Sequence, residues 1–525
     1  MKSNPCPKPV DEPAPPAQIR LLLGALVGLA LVLRVAFLGD REVFRDEAAS
    51  WITASYSFAD LIARVAHEAY PPLYPELLRL WMTVFGDGLA SLRFMSVLAG
   101  LVVVVVGWRW AHEACGWKVG LIALALLALS PLAIGESKNV RMYALETAFA
   151  VTSWWLAWRL VAGLGRGRSA IIEALGLGLA VSGELWTTAY GIPTAGLQLV
   201  AVTIASRSGG SGRSNLALVA IAAGVVSFLP WVPNVLSAAT ESAGFWTPRP
   251  DIGAPLDTYS RWITDGFGTL TMVVGRVAVA GAIAGLLVAG SATVGPPASG
   301  DRHYRLFALL SLAVVPVVWL GSQVYPAYDT RYFGVVLPAL AGGIGVVVVR
   351  ASGAMAARIR DTWLALSLAL LLVVALATVS AWRTGNDVAP ATDVATALAG
   401  EMRPGDVVIA VDARSYFALA YLAERSSNPI RLPGPVLCWN SGTEPDYFGT
   451  ALVPASAVVY ASSGLRAQLP ELSPSGRIWL VKLADVMAAD VGFAPLQDGS
   501  VRQLSELMLH PDAKPGQIRE LVLSP

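Results

Sequence analysis

The sequence predicts a polytopic α-helical membrane protein of about eleven spans, ending in a small outward-facing α/β domain. Three observations predict it. The chain has 525 residues, of which 55% are hydrophobic and only 14% charged, with a mean hydropathy of +0.58; soluble proteins carry about 25% charged residues. Apolar runs long enough to cross a bilayer recur up to about residue 381. After Trp382 the runs shorten and alternate with Pro, Gly and Ser clusters, as in a compact α/β fold.

Taken in order, residues 1–18 are rich in Pro and polar side chains and read as a disordered tail. The apolar run 21–38 follows, with no small-residue cleavage pattern after it, so it is read as a retained anchor. The predicted spans are 20–38, 91–110, 119–136, 142–162, 170–188, 190–206, 215–235, 271–290, 304–323, 332–349 and 362–381. Around Tyr190-Gly191-Ile192-Pro193 a re-entrant bend is the alternative to a break between two spans. The transmembrane domain is placed at 19–382, with a first outer loop at 39–92, and the outer domain at 383–525.

Orientation follows from the short basic loops. Arg109 and Lys118, Arg166 and Arg168, Arg207 and Arg213, Arg302 and Arg305, and Arg350, Arg358 and Arg360 fall on one side together with the N-terminal tail. The positive-inside rule makes that side cytoplasmic. The loop 39–92 and the C-terminal domain are then outside. The run 75–85 is apolar but too short to span, so it is laid flat on the outer surface. In the C-terminal part, 407–411, 457–460 and 477–481 read as buried strands and 412–424 as a helix.

Several function classes are set aside at this stage. The net charge is +1, which gives no field for nucleic acid. There is no Gly-rich nucleotide fingerprint. Of the three cysteines, Cys6 and Cys115 face inward and Cys438 outward, so Cys438 cannot pair with either, and no zinc-type spacing occurs.

Reactive side chains concentrate in the first outer loop. Asp46 and Glu47 are adjacent carboxylates, suited to general-base work on a hydroxyl. Arg93, Lys138, Arg141 and Arg331 lie at the outer ends of predicted spans; cations there suit a phosphate, arginine through its two-toothed fork, although one such residue alone often snorkels. Arg45, His67 and Tyr70 are further candidates for substrate contact in the loop. His67 with Glu68 is better read as a polar loop than as metal ligands, and Tyr70-Pro71-Pro72 also serves as a rigid loop exit. Trp246, in the next long outer loop, suits a membrane belt or a sugar. Gly163-x-Gly165-x-Gly167 is read as a turn.

Together these residues resemble a known family. Arg45-Asp46-Glu47-x-x-x-Trp51, Tyr70-Pro71-Pro72-Leu73-Tyr74, Leu92-Arg93-Phe94, Asn139-Val140-Arg141-Met142-Tyr143 and Thr330-Arg331-Tyr332 form a string similar to family-39-like glycosyltransferases of the GT-C superfamily, such as protein O-mannosyltransferases and the lipid A aminoarabinose transferase. The resemblance covers about residues 20–350. It implies a sugar carried on a polyprenyl phosphate and an inverting transfer to an acceptor hydroxyl on the outer face. It implies Asp46 as the base and Glu47 as its partner. Arg93, Lys138, Arg141, Tyr143 and Arg331 would hold the donor phosphate. Two departures stand out: Tyr70 replaces the family's frequent His before Pro-Pro, and Glu136-Ser137-Lys138 replaces an acid close to the Arg-Met-Tyr string.

The expected partners are thus a lipid-linked sugar, membrane lipids and a cell-envelope glycan, lipid or protein acceptor, in a bacterial inner membrane. No cofactor is expected, and dependence on a divalent metal is left open by the residues. The alternative is a non-enzymatic flippase or transporter of lipid-linked sugar. That reading predicts polar residues deep in the spans.

Overall fold

A computed structural model describes all residues except 1–16, 69, 166, 209–212, 242–247, 265–268, 289–298, 354–371, 373–374, 377, 380–390, 411, 441–449, 461–476, 484–500, 508–515 and 523–525. Trp246, Cys6 and most of the predicted last span lie outside the described residues. The chain forms two compact units: 1–36 with 96–232 and 244–381, and 37–95 with 233–243 and 382–525.

The first unit is a helical bundle. Its apolar runs become α1 (Ala17–Val35), most of α5 (Leu89–Cys115), α6 (Trp117–Leu129), α7 (Pro131–Glu136), α8 (Tyr143–Ala162), α9 (Arg168–Thr187), α10 (Gly191–Arg207), α11 (Ser214–Phe228), α13 (Ala254–Thr264), α14 (Thr269–Val288), α15 (Ser299–Leu312), α16 (Val314–Ser322) and α17 (Val336–Gly353); α12 (Val232–Glu241) falls mainly in the second unit. Among the described residues, five helical stretches are long and apolar enough to cross a membrane: Ala17–Val35, Leu89–Cys115, Arg168–Thr187, Ser214–Ser237 and His303–Ser322. Three shorter apolar helices accompany them. The protein is a multi-pass membrane protein.

Two spans are broken where the sequence suggested continuous ones. The predicted 119–136 is interrupted because Ser130-Pro131 cannot continue α6; Pro131 opens α7 instead, with Ser130 as its N-cap. The predicted 304–323 divides into α15 and α16. The break at Thr188–Tyr190 separates α9 from α10.

Packing relies on small residues, as expected between helices in lipid. A methyl on Gly183 of α9 would sit 2.7 Å from the Phe149 ring of α8, and one on Gly224 of α11 would sit 2.8 Å from Val181 of α9. The outer faces stay apolar: Ile171, Ile172, Leu175 and Leu179 of α9 and Val219 and Val226 of α11 are all exposed. An apolar exterior around an apolar interior is the signature of a helix whose solvent is lipid.

Two arginines inside the bundle are held by partners. Arg34, fully buried near the end of α1, donates to Leu127 O at 3.1 Å, Ala128 O at 3.0 Å, Ala30 O at 3.2 Å and Ser137 Oγ at 3.2 Å. It thereby satisfies the last carbonyls of α6, which the break at Pro131 leaves without helical donors. Elsewhere Arg159 of α8 pairs with Glu113 of α5 and, at 2.9 Å, with Glu173 of α9. The turn beside this network uses Gly163, at φ 73°, as the C-cap of α8, and Gly167 precedes α9 at φ 52°.

The second unit joins residues 37–95 to the α/β domain. The loop folds into α2 (Arg45–Ser55), α3 (Phe58–Val65) and α4 (Leu73–Phe85). Helix α4 contains the short apolar run. It buries Tyr74, Pro75 and Leu78 and exposes Leu80, Val84 and Phe85, which gives it two apolar sides. The α/β domain contains α18 (Ala391–Glu401), β1 (Val407–Ala410), α19 (Ala413–Glu424), β2 (Val436–Asn440), β3 (Val458–Tyr460), β4 (Arg477–Lys482), β5 (Val501–Leu507) and β6 (Gly516–Val522). The sheet order is β3-β2-β1-β4-β6-β5. The first four strands are parallel, with Val408 opposite Val436 and Val407 opposite Ile478; β4, β6 and β5 are antiparallel neighbours. Buried Asp406 pins β1 to β4 by accepting from Trp479 Nε1 at 3.1 Å. Helix α19 starts at an Asp412 N-cap that accepts from Ser415 N at 2.7 Å.

Candidate active site

In the second unit, the adjacent carboxylates Asp46 and Glu47 occupy the first turn of α2, where the helix dipole favours negative charge. Neighbouring positions on a helix point about 100° apart, and here the two have different surroundings. Glu47 is 1% exposed. It closes a capping interaction by accepting from Phe44 N at 2.9 Å, and it meets Arg93 in a two-toothed pair, Nε to Oε1 at 2.9 Å and Nη2 to Oε2 at 2.7 Å. Arg93 is itself fully buried, and its remaining N–H groups go to Leu38 O, Arg41 O and Glu42 O, each at 2.9 Å. All five guanidinium donors are thus engaged inside the loop. Asp46 keeps 28% of its side chain exposed, with Arg45 Nε 3.7 Å from its Oδ1.

Farther along the same loop, His67 is exposed, Glu68 buried and Tyr70 half-buried. Among the described residues no group of three His, Cys, Asp or Glu side chains is arranged to hold a metal ion.

In the first unit, three distant segments meet. The guanidinium carbons of Arg141 and Arg331 lie 5.7 and 5.3 Å from the centre of the Tyr143 ring, within cation–π range. Tyr332 stacks at 5.5 Å from Tyr143 and 4.4 Å from Tyr190, whose hydroxyl donates to Ala327 O. Arg331 Nε is 3.4 Å from Asp329 Oδ2. The turn Thr330–Phe333 that presents Arg331 is held by α13, through Trp262 Nε1 to Thr330 O at 3.1 Å and the Thr258–Tyr328 hydroxyl pair at 2.7 Å. Lys138 is fully buried and donates to Ala36 O at 2.6 Å.

The structure therefore brings Arg141, Tyr143 and Arg331 together, and separately Asp46, Glu47, Arg45 and Arg93. The sequence reading gave no role to Arg34, although a lone cation inside an apolar run needs a reason. It named Tyr190 only at a break between spans and Tyr332 only within the motif string.

Residues 69–233 match the family model for dolichyl-phosphate-mannose-protein mannosyltransferase, a stretch that includes Tyr70, Arg93, Lys138, Arg141 and Tyr143. No curated protein matches the chain. Among solved structures, ArnT from Cupriavidus metallidurans in the apo state matches with a TM-score of 0.62 at 15% identity, over 96% of this chain and 98% of that one. The same protein bound to undecaprenyl phosphate matches with a TM-score of 0.61 at 16% identity, over 97% and 99%. The fold is therefore ArnT-like over nearly the whole chain.

Proposed function

We propose that this protein is an inverting membrane glycosyltransferase that moves a sugar from a polyprenyl phosphate to an acceptor hydroxyl on the outer face of a bacterial inner membrane. The observation that carries the assignment of roles is the division between the two carboxylates. Glu47 is locked by Arg93 and by the helix cap, whereas Asp46 keeps an exposed edge at the N-terminus of α2. In this reading Asp46 is the general base. It takes the proton as the acceptor oxygen bonds to the anomeric carbon. The bond from that carbon to the phosphate oxygen breaks with its electron pair, leaving polyprenyl phosphate. Arg141 and Arg331, around Tyr143, stabilise that phosphate charge. Lys138, which donates to Ala36 O, is a further candidate for that phosphate, and Arg45, His67, Tyr70 and Trp246 are the remaining candidates for contact with either substrate.

Arg93 receives a different role from the one its position in the motif string implied. A guanidinium whose five donors are engaged by one carboxylate and three carbonyls holds α2 in place rather than binding phosphate. Support for a polyprenyl-phosphate donor comes from the ArnT-like fold, since that protein has been seen with undecaprenyl phosphate bound. Asp46→Asn should retain membrane insertion and lose release of polyprenyl phosphate. Normal turnover by that variant would sink the assignment.

One observation favours the transporter alternative. Glu146, Glu184, Thr194 and Gln198 are all buried within the helical bundle, as a translocation path would require. Reconstituted vesicles separate the two readings: a transporter moves intact lipid-linked sugar across the bilayer, whereas the enzyme converts it to polyprenyl phosphate.

A further inference from the structure

The C-terminal α/β domain closes on the first outer loop at two places. At the first, Tyr421 of α19 packs edge-on against Trp51 of α2, with ring centres 5.3 Å apart at 86°. The Tyr421 hydroxyl donates to Asp87 O at 3.2 Å. Ser426, just past the end of α19, donates to both oxygens of Asp87, from its backbone N at 2.8 Å and from its Oγ at 2.7 Å. Asp87 lies in the turn between α4 and α5, six positions before Arg93. At the second place, Arg64 of α3 donates to Ala451 O at 2.8 Å and Val453 O at 2.9 Å while lying over the Tyr56 ring, and the Tyr56 hydroxyl donates to Leu452 O. Burial pushes the Tyr56 phenol up to about 12, so it remains a donor throughout the physiological range.

These contacts share a target. Helix α2 is held in its first turn by Arg93 through Glu47, and in its middle by Tyr421 through Trp51. Both holders lead to the same short segment, 86–93, which Ser426 grips. Removing the α/β domain's contacts would therefore free the middle of α2 directly and loosen the segment that carries Arg93. Asp46 sits in the same first turn, one residue before the restrained Glu47.

We propose that the C-terminal domain is a positioning element of the transfer site, and that Tyr421 and Ser426 are positioning residues that fix α2, and with it Asp46. The proposal rests on Asp46 being the base. It assigns the domain a mechanical task that does not depend on whether the domain also holds an acceptor.

The test uses the full-length protein in nanodiscs, with Ser426→Ala, Tyr421→Leu and the pair combined, and Ser426→Thr as the conservative control. Amide exchange is read over 45–55, undecaprenyl phosphate affinity is measured as a probe of the first unit, and release of polyprenyl phosphate is followed with the lipid-linked sugar pool of the host membrane. The combined variant should exchange at least tenfold faster over 45–55 and turn over at least tenfold more slowly. Its undecaprenyl phosphate affinity should stay within twofold of wild type, and Ser426→Thr should behave as wild type. Unchanged exchange over 45–55 overturns the proposal, as does faster exchange with undiminished turnover or a uniform rise across both units. If the wild-type protein shows no turnover at all, the transfer reading fails, and the exchange over 45–55 still decides whether the domain holds α2.

Discussion

Replacing Arg93 separates a scaffold role from a phosphate-binding one. Arg93→Ala removes two charge-assisted bonds to Glu47 and three bonds to loop carbonyls, and it takes the cation away from a carboxylate that is 1% exposed. Breaking a buried ion pair by deleting one partner costs about 3–5 kcal/mol. Arg93→Lys should recover only part of this, because a single ammonium cannot span both Glu47 oxygens and three carbonyls. Adding Glu47→Leu to Arg93→Met should restore much of the loss, since replacing both members of a buried pair is far milder than replacing one. A double-mutant cycle should then give a coupling of about 2–3 kcal/mol. The measurements are thermal unfolding of the purified protein and its affinity for undecaprenyl phosphate. If Arg93→Ala leaves unfolding unchanged while weakening undecaprenyl phosphate binding tenfold or more, the argument from saturated donors is wrong.

Other expectations follow from the same geometry. Arg141→Ala and Arg331→Ala should each weaken undecaprenyl phosphate binding by about 1.5–3 kcal/mol, the range for a hydrogen bond to a charged group, with little effect on unfolding; a titration by tryptophan fluorescence or calorimetry checks this. Gly100→Ala should destabilise the first unit by roughly 1–3 kcal/mol, because its new methyl would lie 2.1 Å from Ser137 Oγ, the acceptor for Arg34; thermal unfolding of that variant beside wild type measures it. The contact at Asp87 should weaken in acid. Burial alone would push the Asp87 carboxyl up, but the bonds from Ser426 together with those from the Asp87 and Ser427 backbone outweigh it and hold the group below its ordinary value. A carboxyl with a depressed folded-state value stabilises the fold above the unfolded value and loses that contribution as pH falls through the folded one. The excess exchange of Asp87→Asn over wild type in residues 45–55 should therefore be present at pH 7 and be lost only as pH falls below the ordinary carboxylate range.

Much of the bundle was legible because lipid imposes one simple rule: an apolar run of sufficient length becomes a helix. Helices α1, α5, α8, α9, α10 and α17 begin and end within a few residues of their predicted spans, apart from the C-terminal end of α5. The break inside 119–136 was also present in the sequence as Ser130-Pro131, but hydropathy averages over a single proline. In the α/β domain the parallel strands β1 and β4 showed as short apolar runs, VVIA, buried on both faces, and the centre of RIWLVK. Strands β5 and β6 did not, because VRQLSEL and GQIRELV intersperse polar residues, as antiparallel strands near a sheet edge do.

The candidate site was legible as a set of residues and illegible as a set of roles. The motif string singled out Asp46, Glu47 and Arg93 and set them on one side of the membrane, but nothing in the order of letters distinguishes a carboxylate that is held from one that is presented. That distinction depends on where the carbonyls of Leu38, Arg41 and Glu42 point, which is decided by folding of the loop around Arg93. Nor could the sequence link Asp87 to Ser426, since neither letter is unusual and the partner is remote.

That remoteness sets a timetable. Asp87 and Ser426 are separated by 339 positions. At 5–20 residues per second of synthesis, roughly 20–70 seconds pass between the appearance of one partner and the other. In that interval the loop has been made but the element that steadies it has not, and the remaining segments must still cross the membrane first. A nascent chain of this protein therefore carries Asp46 and the rest of α2 long before α19 exists to steady them. An incomplete product lacking α19 would leave the contacts at Asp87 and Trp51 unmade.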